Sequence, residues 1–371
     1  MKYNKFGNTG MNISALGFGA MRLPMLEDGK INDELAVPLL QRAFDLGVNY
    51  VDTAFFYCNG NSEYTVGKAL KGYRDRVYLS TKFPIKENST RSDYRASLEE
   101  QLKKLDQEYI DCYHFHGINL ERYKNTILKN DLIAEAQKAK DEGLIKHISF
   151  SFHDTPAAMM EIIDSGYFES VLCQYNMLFR DNEEAIKYAH DKGLGVVVMG
   201  PVGGGNLSYP IEEFEKSVGN KCGTPELALR FVLSNPNVSC ALSGMGNLQM
   251  LEENAKVASD ESALTDEERK SVLETIDRLK KLTELYCTGC EYCKPHCPKN
   301  IHIPYLFQTM NLHRVYGLTE VAKKKYAAIG KEEWMGAKPT ECIECGACEK
   351  QCPQHIEIRK QLKEVISALG D

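Results

Sequence analysis

The sequence predicts an α/β fold, a (β/α)8 TIM barrel followed by a small cysteine-rich domain. Three observations carry that expectation. Between Ile13 and Asn254, eight short β-branched, apolar runs alternate with longer segments of helical period. The runs are apolar on both faces, as strands of a buried parallel sheet are, and eight such units in about 250 residues match a (β/α)8 barrel. A doubly wound open sheet is the nearest competitor. Eight of the thirteen cysteines then fall into two runs near the C-terminal end.

Taken in order, YNKFGNTGMNIS places a turn-rich GNTG between two short apolar runs and reads as a hairpin ahead of the barrel. The strand candidates are ISALGFG (13–19), YVDTA (50–54), VYLSTK (77–82), YIDCYHFH (109–116), HISFSF (147–152), VLCQYN (171–176), GVVVMGP (195–201) and VSCALSG (238–244). Between them lie amphipathic segments such as DELAVPLLQRAFDLG, RSDYRASLEEQLKKL and DNEEAIKYAHDKG, several closing on glycine as helices tend to. The segment at 264–286 opens with Thr265 and Glu268 at capping-box spacing and reads as an amphipathic connecting helix. The expected boundaries are 1–262 for the barrel, 263–286 for the connecting helix and 287–371 for the cysteine-rich domain.

Composition narrows the partners. The chain is 43% hydrophobic and 26% charged, with a formal charge of -7, so it has no basic footprint for nucleic acid. No apolar run approaches the ~20 residues of a membrane span. MKYNKFGNTG lacks the apolar core of a secretory signal. The expectation is a cytoplasmic protein acting on a small-molecule substrate, away from nucleic acid and membrane. Clustered cysteines in a chain of this size point to metal rather than a disulfide scaffold. Cys112, Cys173 and Cys240, inside strand candidates, read as buried small hydrophobes.

In a barrel, reacting groups come from the C-terminal ends of strands and the loops beyond them. Asp52 lies near the end of the second strand candidate, with Tyr57 just beyond; Lys82 closes the third and His116 the fourth. A tyrosine is a poor proton donor at neutral pH unless a cation stands beside it, and a buried carboxylate can keep that cation charged. A histidine beside the tyrosine can hydrogen-bond an oxygen on which negative charge develops. The chemistry implied is carbonyl reduction by hydride, or its reverse. His114 and His116 share a strand face and could form a metal pair, though no third ligand is evident.

The motifs DTAFFY (52–57), STKFP (80–84) and YIDCYHFH (109–116) resemble the tetrad segments of the aldo/keto reductase family. The resemblance implies catalytic roles for Asp52, Tyr57, Lys82 and His116, with Tyr57 as the general acid. QYN (174–176) resembles the nicotinamide-contacting segment and suggests Gln174, with Ser151 as a further carboxamide contact. The likeness runs through GPVGGGNL (200–207) to LEEN (251–254), which brings in Asn254. Gly203, Gly204 and Gly205 lie after the seventh strand, where barrels commonly bind phosphate. NAD(P)H is the implied cofactor. Three positions depart from the family pattern: Phe152 follows Ser151 in place of asparagine, Met199 replaces an aromatic, and Met250 replaces an arginine that often holds the phosphate of NADP.

CTGCEYCKPHCP (287–298) and CIECGACEKQCP (342–353) both read C-x2-C-x2-C-x3-C-P. Three thiolates of such a run hold one [4Fe–4S] cube, and the fourth cysteine ligates the other. That assigns Cys287, Cys290, Cys293 and Cys352 to one cluster, and Cys342, Cys345, Cys348 and Cys297 to the second. Zinc, the competing ion, prefers two separated pairs. The helix-like segments IPYLFQTMNLHRVYG, LTEVAKKKYAAIG and IRKQLKEVISALG resemble the α-helical ferredoxin type. Barrel and tail together resemble the iron–sulfur branch of the aldo/keto reductase family.

The leading expectation is an NAD(P)H-dependent oxidoreductase whose two [4Fe–4S] clusters serve electron transfer. The alternatives are a ferredoxin- or flavin-linked reductase, with the clusters feeding the barrel without nicotinamide, and a non-enzymatic electron carrier. Phe152, Met199 and Met250 favour the flavin-linked alternative, as an apolar wall lacking nicotinamide contacts. Flavin could bridge two-electron and one-electron chemistry, and a ferredoxin or flavoprotein is a compatible redox partner.

Overall fold

Eight parallel strands close on themselves in this computed structural model. The structure describes residues 1–205, 207–260, 264–284, 287, 293–331, 333–352 and 355–370. Strands β1 (Tyr3–Lys5) and β2 (Asn12–Ser14) form an antiparallel hairpin. The barrel follows with β3 (Leu16–Gly19), β4 (Tyr50–Asp52), β5 (Tyr78–Phe83), β6 (Ile110–Ile118), β7 (Ile145–Phe152), β8 (Ser170–Gln174), β9 (Gly195–Met199) and β10 (Cys240–Ser243). Each pairs with its successor and β10 returns to β3, a closed barrel and not a doubly wound sheet. All eight strand candidates are present. The first one splits: residues 12–14 pair back onto β1, and the barrel strand begins only at Leu16.

Side-chain alternation sorts the two faces of each strand. Tyr50, Cys112, Leu172, Val197, Cys240 and Leu242, from five different strands, join Phe6, Met11 and Ile13 of the hairpin region in one buried cluster. The hairpin therefore plugs the floor of the barrel. Gly7 makes that approach possible: it has φ +53°, and a Cβ there would sit 2.4 Å from the Gly193 carbonyl oxygen. Cys112, Cys173 and Cys240 are fully buried, as their sequence context implies. Outward-facing Phe83, Phe115 and Phe150 pack under the helical layer, with Tyr94 5.0 Å from Phe83 and Phe168 4.7 Å from Phe150. Each such ring stabilises the fold by roughly 1.5–3 kcal/mol. Tyr94 belongs to the helix Arg91–Leu105, which opens with a capping box between Thr90 and Asp93.

The chain divides into two compact units, Met1–Gly205 with Pro225–Thr265, and Asn206–Thr224 with Asp266–Asp371. The second unit is helical. Its longer helices among the described residues are Asp266–Glu284, Ile303–Arg314, Thr319–Ala328 and Ile358–Leu369, with the short helices Glu212–Ser217 and Ala347–Lys350 besides. Ile303–Arg314 starts with Pro304 in its first turn, where the missing N–H costs nothing. Ile358, Leu362, Val365 and Leu369 form one buried stripe on the last helix. Among the described residues, no helix is long and apolar enough to cross a membrane.

Candidate active site

Strand register brings the sequence-predicted groups together. Asp52 lies opposite Ser80 in the β4–β5 ladder, and Lys82 opposite His114 in the β5–β6 ladder. Asp52, Ser80, Lys82, His114 and His116 thus share the inner face, with Asp52 and Lys82 only 1% exposed. Lys82 Nζ donates to Asp52 Oδ1 at 2.5 Å and to the Thr53 carbonyl at 2.7 Å. Ser80 Oγ donates to the second carboxylate oxygen at 2.7 Å, so both oxygens of Asp52 are engaged.

Tyr57 reaches this pair from the loop after β4. Thr53 Oγ1 donates to Ser62 Oγ, which donates to the Ala20 carbonyl, both at 2.8 Å, fixing the ends of that loop. Lys82 Nζ stands 4.6 Å from the centroid of the Tyr57 ring. Tyr57 meets His116 edge to face, with centroids 6.3 Å apart. All four tetrad residues therefore converge at one mouth of the barrel.

The electrostatics follow from burial and these neighbours. Burial alone would depress the Lys82 ammonium, but Asp52 and then Tyr57 reverse it, leaving the pKa above the ordinary lysine value. His116 is pushed down to about 4 by burial and by the Lys82 charge. His114 is pushed down to about 3 by the same two causes. Both imidazoles are neutral at neutral pH. Among the described residues at the barrel mouth, no three His, Cys, Asp or Glu side chains are grouped to hold a metal ion.

The expected cofactor contacts surround the same mouth. Gln174 is half-buried at the end of β8, on the inward face shared with Leu172, and lies opposite Met199. Ser151 is 1% exposed, and its Oγ accepts the Gly117 N–H at 2.7 Å, pinning the residue after His116. Gly203, Gly204 and Gly205 form a single turn with φ values of +61°, +66° and +100°. Asn254 donates to Ser243 Oγ at 3.2 Å, tying its helix to the end of β10. Phe152 requires a correction. It follows Ser151 directly and so points to the opposite face, with its ring 6.2 Å from Phe150 in the outer aromatic layer. It does not wall the site.

Sequence reasoning missed two supports. Arg22, just past β3, donates to the Gly204 carbonyl at 3.1 Å and lays its stem along Gly244. Behind the tetrad, Gln101 Nε2 donates to Glu63 at 2.5 Å and to the Lys82 carbonyl at 3.1 Å. Tyr113 donates to Gln101 Oε1 at 2.6 Å, and Thr81 donates to Glu63 at 2.7 Å. One buried amide thereby clamps the outer faces of β5 and β6. Its signal was available: Gln101 interrupts the buried stripe Tyr94, Leu98, Leu102, Leu105.

In the second unit, Cys297, Cys342, Cys345 and Cys348 line one cavity. These are the four thiols assigned to one cluster from spacing, and four thiols are the donor set that a [4Fe–4S] cube takes. The Ile301 N–H donates to Cys297 Sγ at 3.3 Å, the kind of contact that tunes such a site. Of the other set, Cys293 is buried, Cys287 and Cys352 are half-buried, and Cys290 lies outside the described residues.

Residues 15–277 match the aldo/keto reductase family, and residues 286–357 match the 4Fe-4S dicluster domain. L-galactose dehydrogenase of Arabidopsis thaliana is 30% identical over 305 residues, covering 75% of this chain and 95% of that protein. The uncharacterized oxidoreductase YqkF of Bacillus subtilis (strain 168) is 27% identical, covering 73% and 95%. Among solved structures, the holo form of aldo-keto reductase AKR11C1 from Bacillus halodurans superposes with a TM-score of 0.65 at 27% identity, over 74% of this chain and 96% of that one. The thermostable aldo-keto reductase Tm1743 gives 0.62 at 26% identity, over 74% and 100%. The chain belongs to the aldo/keto reductase family, with a 4Fe-4S dicluster domain at its C-terminal side.

Proposed function

We propose that the barrel reduces a small-molecule carbonyl, or oxidises the matching alcohol, by exchanging hydride with NAD(P)H, with Tyr57 as proton donor. The observation that carries this reading is the buried Asp52–Lys82 pair set against the Tyr57 ring. Asp52 holds the ammonium charged. That ammonium stabilises the negative charge left on the Tyr57 oxygen as its proton moves to the substrate. Neutral His116, edge-on to Tyr57, can orient the carbonyl oxygen by hydrogen bonding. Gln174 and Ser151 would bind the nicotinamide carboxamide, while the turn at 203–205, with Arg22 against it, and Asn254 would hold the rest of the cofactor. The nicotinamide supplies the hydride when bound.

In the second unit, Cys297, Cys342, Cys345 and Cys348 would hold one [4Fe–4S] cluster, and Cys287, Cys290, Cys293 and Cys352 the other. Such clusters supply one-electron transfer when bound, with a ferredoxin or flavoprotein as a suitable partner. The division into barrel (1–262), connecting helix (263–286) and cluster domain (287–371) follows the same reading. Anaerobic purification with iron analysis and cofactor extraction tests it. About eight irons per chain and aldehyde-dependent NAD(P)H oxidation support the reading. Bound flavin, with clusters reoxidised by substrate in the absence of nicotinamide, would replace it with the flavin-linked alternative.

A further inference from the structure

We propose that Arg359 sets the reduction potential of the cluster held by Cys297, Cys342, Cys345 and Cys348, raising it by presenting a fixed positive charge to the thiolates. The inference rests on the cluster assignment above and adds a residue that no ligand spacing points to.

Arg359 lines the same cavity as the four cysteines. Its Nε and Nη2 both reach Glu349 Oε2, at 2.9 and 2.8 Å, and its backbone N–H donates to Glu349 Oε1 at 2.9 Å. Nη1 points to the Glu344 carbonyl at 3.4 Å. Glu344 and Gly346, which flank Cys345, both have left-handed backbone, with φ +56° and +72°. The guanidinium lies against the bare Cα of Gly346, where an added Cβ would be 3.8 Å from Arg359 Cζ. One side chain thus touches the ligand loop at three places.

The orientation of the ion pair matters. Arg359 borders the cavity and Glu349 does not, so the guanidinium is the end of the pair that meets the cavity wall. A guanidinium remains charged at any working pH, and its planar fork on Glu349 fixes its position. Reduction takes [4Fe–4S]2+ to [4Fe–4S]+ by adding one electron, with no bond made or broken. The reduced site is one unit more negative, so a fixed cation beside it favours the reduced state and raises the midpoint potential. Lys299 also lines the cavity, with no carboxylate among the described residues to hold it in one position.

The test is a dithionite redox titration of the anaerobically purified full chain, followed by electron paramagnetic resonance. Arg359→Gln should lower the midpoint of one cluster and leave the other in place, with iron content unchanged. Arg359→Lys should restore most of the shift, since it keeps the charge. Glu349→Gln should move the same midpoint upward; it also loosens the clamp, so a merely structural role predicts a common direction for both variants. Unchanged midpoints in Arg359→Gln, or equal shifts at both clusters, would overturn the inference. Absence of iron from the unsubstituted protein would defeat the cluster assignment itself.

Discussion

The barrel mouth and the cysteine-lined cavity both gather four functional groups from separate stretches of chain, but they are ordered by different means. In the barrel, Asp52, Lys82 and His116 stand on strands whose ladder fixes their spacing, and Asp52 and Lys82 are hydrogen-bonded in full burial. In the cavity, Cys345 is exposed, Cys297 and Cys342 are half-buried, and their loops include left-handed Glu344 and Gly346. The first site is preorganised by backbone pairing. The second sets its thiols on loops beside Ile301, Ile303, Ile343 and Leu362, and a bound cluster would add its binding energy to the folding of that unit. Proton chemistry needs rigid donors, whereas a cubane supplies its own geometry.

That contrast can be broken most severely by removing iron. Chelation of the reduced holoprotein should abolish the cooperative thermal transition of the second unit and leave that of the barrel in place, as calorimetry would register. Simultaneous loss of both transitions would show that the barrel is not preorganised. Next in size, Tyr57→Phe should lower kcat for carbonyl reduction by roughly 10²–10⁴ while iron content stays the same. Steady-state assay and iron analysis on one sample would check both halves.

Asp52→Asn leaves the Lys82 ammonium buried without its counter-charge. It should cost about 3–5 kcal/mol in barrel stability, read from denaturant unfolding. The smallest effect concerns pH. His114 and His116 are depressed in the folded state to about 3 and about 4, against an unfolded value of 6.5. Between those limits the unfolded chain binds protons that the folded barrel refuses, so barrel stability falls as pH drops from about 6.5 toward 3. Above 6.5 the two histidines contribute no slope, and the activity profile should lack a histidine inflection between pH 6 and 7. An inflection there would mean that His116 is charged in the working enzyme.

Most of this architecture was legible in the sequence because periodicity and strand-end position are local signals. The eight strands, the buried Cys112, Cys173 and Cys240, and the convergence of Asp52, Tyr57, Lys82 and His116 all follow from them. What was not legible depends on direction or on long-range pairing. Phe152 was placed at the site although it adjoins Ser151, and strand alternation sends the two to opposite faces. The hairpin over residues 3–14 was legible, but the first strand candidate overran it: Ile13 and Ser14 pair with residues 4 and 3, and the barrel strand begins at Leu16. Arg22 and Gln101 act across 182 and 19 residues of sequence, through the Gly204 and Lys82 carbonyls. The cysteine spacing was readable at once, since chelation depends on short loops. Arg359 was not, because its charge meets those loops only in the folded unit.

The central claim is that the barrel moves hydride, not single electrons. Incubating the holoprotein with NADPH deuterated at nicotinamide C4 and a reducible aldehyde, then locating the label by mass spectrometry, tests it directly. Direct transfer predicts deuterium on the carbinol carbon of the product in a one-to-one ratio with cofactor oxidised. Product carrying solvent hydrogen instead of deuterium at that carbon would contradict the account and move the chemistry to the clusters.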